Sequence, residues 1–170
     1  TVNNSSTSSF QGSVTITSFS DTTATPGATY YYWAKATNAN GDSGFSNGDS
    51  GYRAVSPPSA PANVQASDGT QAGFVRVTWS ASTGASSYKV YRNTMNDASG
   101  SSLLQSGIAG TQYDDSTATA EITYWYFVKA TNAGGDSPFS NGDSGSAAAG
   151  ACGTNCDGVS GGVDMGSFCR

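Results

Sequence analysis

The sequence contains no histidine, a single glutamate and few charged residues of any kind, which together make up 11% of the chain. Its net charge is −5 and its Lys and Arg residues are not clustered, so we predict neither a nucleic-acid partner nor an anionic membrane surface. No apolar run approaches the roughly 20 residues that a membrane-spanning helix requires. We therefore expect no membrane insertion.

The string GDSG, which surrounds the nucleophile in one class of serine peptidases, ends both copies of a repeated FSNGDSG, at 45–51 and 139–145. A serine nucleophile needs a general base, and histidine is the usual one. The lysines Lys35, Lys89 and Lys129 lie in strand-like apolar runs without a second catalytic motif. We predict that the chain is not an enzyme, has no catalytic residues and uses no cofactor.

Cysteine is confined to the last twenty residues, as Cys152, Cys156 and Cys169. In a Gly-rich tail these residues are disulfide candidates, with one thiol left over for a free or intermolecular state. Zinc is the alternative, although three thiolates without histidine lack a fourth strong ligand. Four aspartates in turns also raise the question of calcium, but no calcium-loop motif accompanies them and we predict no metal site: Asp114, Asp115, Asp136 and Asp143.

The rest of the composition favours short strands over helices. Ser, Thr, Gly and Asn dominate the polar residues, while the strong helix formers Glu, Lys and Arg are scarce. The cysteine distribution and this polar surface indicate an extracellular or cell-surface protein.

An internal repeat organises the chain. An offset of 94 residues places residues 17–51 over 111–145 without a gap, and well over half of these 35 positions are identical. A period of this length with short alternating strands is the size of one β-sandwich module. The FSNGDSG strings are therefore the same structural position in two consecutive units.

The second unit reads as seven short strands whose alternation predicts a common core. The predicted core aromatic residues are Trp79, Tyr88, Tyr124 and Tyr126. The predicted strands are 64–67, 74–80, 86–94, 101–107, 111–116, 123–133 and 137–142.

This unit resembles a fibronectin type III domain of the bacterial secreted type. The matching segments are PPSAPANVQAS, the Trp79 of VRVTWS, YKVYR at 88–92 and TYWYFVKATNAGGDSPFS at 123–140. The resemblance implies that Tyr124 is the tyrosine-corner residue, bonded through its hydroxyl to backbone near the preceding turn, and that Trp79 fills the centre of the core. That turn, TAEIT, lacks the Pro-Gly which its counterpart TPGAT (25–29) retains.

The first unit is only half a module, because the same offset aligns its start with the region after the third strand of the second unit. Its inward residues, Tyr30, Tyr32, Ala34 and Ala36, are therefore expected to need a cover. Either the chain is part of a longer polypeptide that supplies the cover, or strands from another copy complete the unit.

Alternation sends four aromatic residues to the face opposite the core, as possible carbohydrate or partner contacts. Either they stack on sugar rings, or they pack under neighbouring loops, modules or chains. These residues are Tyr31, Trp33, Trp125 and Phe127.

The expected architecture is thus all-β, with tandem immunoglobulin-like sandwiches of the fibronectin type III kind, the first lacking its first three strands. Residues 1–51 form the partial repeat, 52–60 a Pro-rich linker, 61–145 the complete domain and 146–170 a Gly/Cys-rich tail. The leading functional hypothesis is an extracellular structural or adhesive protein, in the form of a filament subunit or a fibre segment. The alternatives are a spacer region of a secreted polysaccharide-degrading enzyme and a carbohydrate-binding module.

Overall fold

A computed structural model describes residues 5–150, and the chain divides into two compact units, Thr1–Ser56 and Pro57–Arg170. Both units are built of β-strands. The first contains a 3-10 turn at Ser5–Thr7 and the strands β1 (Thr29–Tyr32), β2 (Thr37–Asn38), β3 (Gly41–Asp42) and β4 (Asp49–Tyr52). The second contains β5 (Gln65–Ala66), β6 (Asp68–Ala72), β7 (Val75–Thr78), β8 (Ser87–Asn93), β9 (Ser102–Ile108), β10 (Gln112–Asp115), β11 (Tyr124–Asn132), β12 (Gly135–Asp136) and β13 (Asp143–Ala148).

Two sheets form the second unit, as the sequence predicts. The smaller has the order β10-β7-β5, and the larger has the order β6-β13-β11-β8-β9 with β12 also paired to β11. Alternate residues of β7 and β8 are buried because side chains of a strand point to opposite faces, and β11 follows the same pattern except at Phe127, which is buried as well. The core that results is continuous and includes Val75, Val77, Trp79, Tyr88, Val90, Tyr126, Val128 and Ala130.

The last strand differs from the sequence prediction. Residues 137–142 form no strand; the next strand, β13, pairs with β11 instead. The hydroxyl oxygens of Ser137 and Ser140 accept hydrogen bonds from the backbone amides of Ala130 and Val128, both at 2.9 Å. Side-chain oxygens thus take the place of ladder carbonyls. The sequence prediction also missed β6, which runs parallel to β13.

The end of the second unit lies beyond residue 145. β13 continues to Ala148, and the Ala147 side chain is buried in the core. The backbone of Glu121 holds this strand through a bond from its amide to the Ala147 carbonyl at 3.0 Å.

The first unit reproduces one hairpin of the second. Tyr30 pairs with Gly51 and Tyr32 with Asp49, which is the register of their counterparts 94 residues later in β11 and β13. β2 and β3 likewise pair as β11 and β12 do. The repeat in the sequence is therefore a repeat of backbone pairing.

Other parts of the repeat form no strand in the first unit. Residues 8–14 and 18–21, which align with β9 and β10, are irregular. In the second unit β9 pairs with β8 and β10 pairs with β7. The first unit has no counterpart of β7 or β8 among its described residues, so these segments lack the strands on which they would form.

The exposure of apolar side chains follows the same difference. Leu104, Ile108 and Tyr113 pack against the core of the second unit. Their counterparts in the first unit, Phe10, Val14 and Phe19, are 85%, 49% and 48% exposed. The first unit is thus an open half-module with an uncovered apolar face.

Candidate functional site

The buried carboxylate of Asp115, at the end of β10, is the centre of a polar network. Its Oδ2 accepts hydrogen bonds from the Tyr126 hydroxyl at 3.0 Å and from Arg92 Nη1 at 2.7 Å. Its Oδ1 accepts bonds from the hydroxyl and amide of Thr117. The Arg92 guanidinium also stacks on the ring of Tyr124, 4.4 Å from its centroid.

These contacts shift the ionisation of the network. Burial raises the pKa of Asp115, but the hydrogen bonds from Thr117, Tyr126 and Arg92 outweigh it, so the pKa lies below the ordinary value of 3.8. Burial, the nearby Asp115 charge and the hydrogen bond to that carboxylate raise the pKa of the Tyr126 hydroxyl. The network therefore holds a charged carboxylate inside the sandwich as a structural anchor.

The first unit contains the same anchor without its cation. Tyr32 donates to Asp21 Oδ2 at 3.0 Å, and the hydroxyl and amide of Thr23 bond Asp21 Oδ1. The hydrogen bonds from the hydroxyl and amide of Thr23 are the main cause that lowers the pKa of Asp21. Among the described residues no cation forms an ion pair with Asp21.

A second acidic group repeats in the same way. Asp136 accepts a bond from the Thr131 hydroxyl at 2.7 Å and forms an ion pair with Lys89 at 2.7 Å. In the first unit Asp42 accepts the bond from Thr37 at 2.6 Å, and no lysine of the described residues pairs with it. In the second unit both cations come from β8, which has no counterpart among the described residues of the first unit.

Of the predicted core residues, Trp79, Tyr88 and Tyr126 are buried, and the Trp79 and Tyr88 rings lie 5.4 Å apart. Tyr124 is only half-buried at the edge of this core. The tyrosine-corner assignment of Tyr124 is wrong on geometry, because within residues 5–150 its hydroxyl has no hydrogen bond. The bonded hydroxyl at this corner belongs to Tyr126.

The predicted outward aromatic residues of the second unit are not equally accessible. Trp125 is half-buried, with its Cα opposite Ser144 and Asn93. Phe127 is 2% exposed, which contradicts its prediction as a contact residue. The ring of Phe139 lies 6.2 Å from it, and Gly142 approaches so closely that a Cβ there would clash with the Phe127 ring. The segment after β12 therefore covers Phe127.

In the first unit both predicted outward residues, Tyr31 and Trp33, are half-buried. Their ring centroids are 6.5 Å apart and the planes are inclined by 32°. Lys35 lies beyond them, with its Nζ 4.5 Å above the ring of Phe45. Two rings thus lie side by side on this face, and we keep a contact with a sugar or a partner as a hypothesis for them.

The serines of the GDSG strings, Ser50 and Ser144, lie in the ladders of β4 and β13. The aspartates considered for calcium are each engaged by a protein group. Asp114 binds Arg76 at 2.8 Å, and Asp143 Oδ2 accepts the amide of Ala66 at 2.8 Å. In the part of the chain that the structure describes, no three His, Cys, Asp or Glu residues form a metal-binding group.

The disulfide candidates Cys152, Cys156 and Cys169 lie outside the described residues. Between residues 5 and 150 the structure has no helix with the length and apolarity to cross a membrane.

The chain is similar to a short segment of one known enzyme and to several solved structures. No family model matches it. It is 31% identical over 78 residues to an amylopullulanase of Thermoanaerobacterium saccharolyticum, which covers 46% of this chain but only 6% of that enzyme.

Among solved structures, it is similar to an Fn3-like protein from Clostridium thermocellum, at 26% identity and a TM-score of 0.49, over 54% of this chain and 95% of the other. It is also similar to the chicken CNTN1 FN1–FN3 domains, at 20% identity and a TM-score of 0.50, over 76% of this chain and 46% of the other. The last likeness, together with the sheet order described above, identifies the architecture: the chain has an all-β, fibronectin type III-like fold.

Proposed function

We propose that the chain is a non-catalytic spacer of an extracellular protein, built of fibronectin type III-like units in series. The observation that carries this proposal is what the repeat preserves. Residues that are identical in the two units make the internal bonds of the fold: Asp21 and Asp115, Thr37 and Thr131, Ser46 and Ser140. This pattern is expected where the repeat preserves the fold of each unit and not a binding site on its surface.

The outward positions support the same proposal. Tyr31 and Trp33 of the first unit align with Trp125 and Phe127, so the residue type changes at both places. The accessibility changes as well, because Phe127 is covered and Trp33 is half-exposed. A sugar-binding site that both units shared would need the same rings at the same exposure.

The Pro-rich segment 52–60 fits a spacer, because its prolines favour an extended conformation. The segment of amylopullulanase that this chain is similar to is a small part of a large enzyme. We therefore place the spacer in a secreted polysaccharide-degrading protein.

Three measurements on the purified chain test this proposal. Incubation with starch, pullulan, cellulose and chitin should release no reducing sugar, and sedimentation with the insoluble polymers should retain no protein. Sedimentation velocity should give a single species that does not grow with concentration. Hydrolysis by the wild type would contradict the non-catalytic assignment.

Matched variants separate the spacer from a sugar-binding module. If the wild type is retained on a polymer and W33A is not, while F127A still binds, the first unit is a carbohydrate-binding surface. Retention that neither variant alters would point to a site outside these aromatic residues. Either result contradicts the spacer proposal.

A filament subunit is the second candidate, favoured by the open edge of β1. In the second unit the corresponding edge of β11 is paired with β8. Within the described residues β1 has β4 as its only partner strand. Concentration-dependent assembly in the sedimentation experiment would favour a filament over a spacer.

A further inference from the structure

The first unit has a receiving surface of defined chemistry. This surface consists of the free edge of residues 30–37, the exposed apolar side chains of Phe10, Val14 and Phe19, and the two acidic groups Asp21 and Asp42. In the second unit the aligned surface is covered by β5, β7 and β8. The strands β5, β7 and β8 of the second unit are therefore a template for the segment that would cover this surface.

The backbone edge sets the direction and register of the occupant. β8 runs antiparallel to β11, with Asn93 opposite Trp125 and Ser87 opposite Thr131. The aligned positions in the first unit are Tyr31 and Thr37. A strand on this edge is consequently antiparallel to β1 and seven residues long.

The charges specify two side chains of the occupant. Lys89 and Arg92, three residues apart on β8, reach Asp136 and Asp115. The aligned carboxylates, Asp42 and Asp21, keep their bonds to Thr37 and to Tyr32 but have no cation within the described residues. The occupant strand is thus expected to carry two cations with the spacing Lys-x-x-Arg.

The apolar face specifies the remaining strands. β7 supplies Val75 and Val77 to the core of the second unit, and Trp79 follows directly. The turn before β8 also closes the end of β11, because Ser86 bonds the Thr131 carbonyl. In the first unit the aligned end is an open depression lined by residues between Ala36 and Ser43.

We propose that the first unit is completed by a three-stranded segment of the same polypeptide that lies N-terminal to Thr1. This segment resembles residues 61–94, and one of its strands carries a Lys-x-x-Arg sequence that binds Asp42 and Asp21. A second copy is a poorer occupant, because its own β5, β7 and β8 are already paired within its second unit. The inference concerns the cover of the first unit and holds for a spacer and for an adhesive fibre alike.

A graft within the full chain tests the proposal. Residues 57–96 are duplicated and joined to residue 3, which reproduces the spacing of the second unit. Hydrogen exchange of the peptide 29–37 is then compared in the grafted and ungrafted chains by mass spectrometry. Its sequence differs from that of 123–131, so the second unit serves as an internal control of folding in every sample.

The graft should slow exchange of 29–37 by at least about 100-fold, because amides that fray in an open edge become part of a cooperative sheet. If 29–37 exchanges equally fast with and without the graft while 123–131 stays protected, the proposal is overturned. Protection of 29–37 in the ungrafted chain that rises with protein concentration would assign the cover to a second copy and would also overturn it.

Charge variants and one packing variant test the chemistry of the graft. Replacing its lysine and arginine, the copies of Lys89 and Arg92, with glutamine should remove roughly tenfold or more of the protection, and D21N or D42N should add little to that loss. G51A should be tolerated in the ungrafted chain and should speed exchange about tenfold or more in the grafted chain, where the incoming first strand fills the space beside Gly51. Charge variants that leave the protection unchanged would refute the specified strand.

Discussion

The hydroxyl of Tyr126 lies 3.0 Å from Oδ2 of Asp115, and 94 residues earlier the hydroxyl of Tyr32 lies 3.0 Å from Oδ2 of Asp21. The two pairs differ in their surroundings. Tyr126 and Asp115 are fully buried, whereas Tyr32 and Asp21 are half-buried. We therefore expect the same hydrogen bond to contribute more to the free energy of unfolding in the second unit than in the first.

Y126F should destabilise the second unit by about 1–3 kcal/mol, because it removes one donor from a buried carboxylate. Urea unfolding followed by tryptophan fluorescence measures this, since Trp79 is buried in that unit. Y32F is the matched control and should leave the transition of the second unit where it is. Equal effects of both variants on that transition would contradict the division into separate units.

Loss of the Asp115 charge should make the second unit less stable, and the loss should depend on pH. At neutral pH D115N should cost on the order of 3 kcal/mol, because Arg92 loses its carboxylate partner.

The sign of the pH dependence follows from the lowered pKa. Since Asp115 has a lower pKa in the folded chain than its ordinary 3.8, the unfolded chain binds the proton first as the pH falls. The stabilisation by Asp115 is present above about pH 4 and disappears as the pH falls through the folded pKa. The difference in urea midpoint between wild type and D115N should thus shrink towards pH 2. A constant difference would contradict the assignment.

Most of the second unit could be predicted from sequence, because alternation alone places Val75, Val77 and Val90 inside. Contacts between distant segments could not. Tyr124 and Tyr126 share a face of β11, and only the position of Asp115 on another strand decides which hydroxyl is bonded. Phe127 has an outward position by alternation, yet Phe139 and Gly142 fold over it.

The last strand was misplaced for a related reason. The sequence predicts a strand at 137–142, but in the structure the backbone amides of Ser137 and Ser140 donate to β11 while their hydroxyl oxygens, in place of backbone carbonyls, accept its amides. The first unit was predicted to be incomplete, and the structure adds that two more of its segments remain irregular without their partner strands. The repeat itself could have indicated Asp21 and Asp42 as acidic groups without cations.

The turn before β11 contains a strained residue that the repeat allows to be tested. Glu121 has φ of +62°, and the aligned residue in the first unit is Gly27 with φ of +79°. Each donates its backbone amide to an aligned carbonyl, Glu121 to that of Ala147 and Gly27 to that of Arg53. E121G should stabilise the second unit by about 0.5–1 kcal/mol, because a left-handed conformation costs an L-residue roughly 1–2 kcal/mol while the added chain entropy offsets part of the gain.

Thermal unfolding of the full chain measures this gain, with E121A as the control, since alanine removes the side chain but retains the backbone strain. E121A should not raise the midpoint. An equal rise in both variants would assign the effect to the glutamate side chain and not to its backbone conformation.

Gly145 and Gly51 occupy aligned positions in β13 and β4. They differ in how close a Cβ added at each position would lie to neighbouring atoms. A Cβ on Gly145 would lie 2.7 Å from Cβ of Ala66 and 2.8 Å from the Ser67 carbonyl oxygen, whereas on Gly51 the nearest atom would be Tyr32 Cε2 at 3.5 Å. G145A should therefore destabilise its unit by about 1–3 kcal/mol through overpacking. G51A should be nearly neutral, because the first unit has no described strand in the place of β5. Urea midpoints of the two variants check the contrast, and a neutral G145A would show that β5 does not pack against β13 as described.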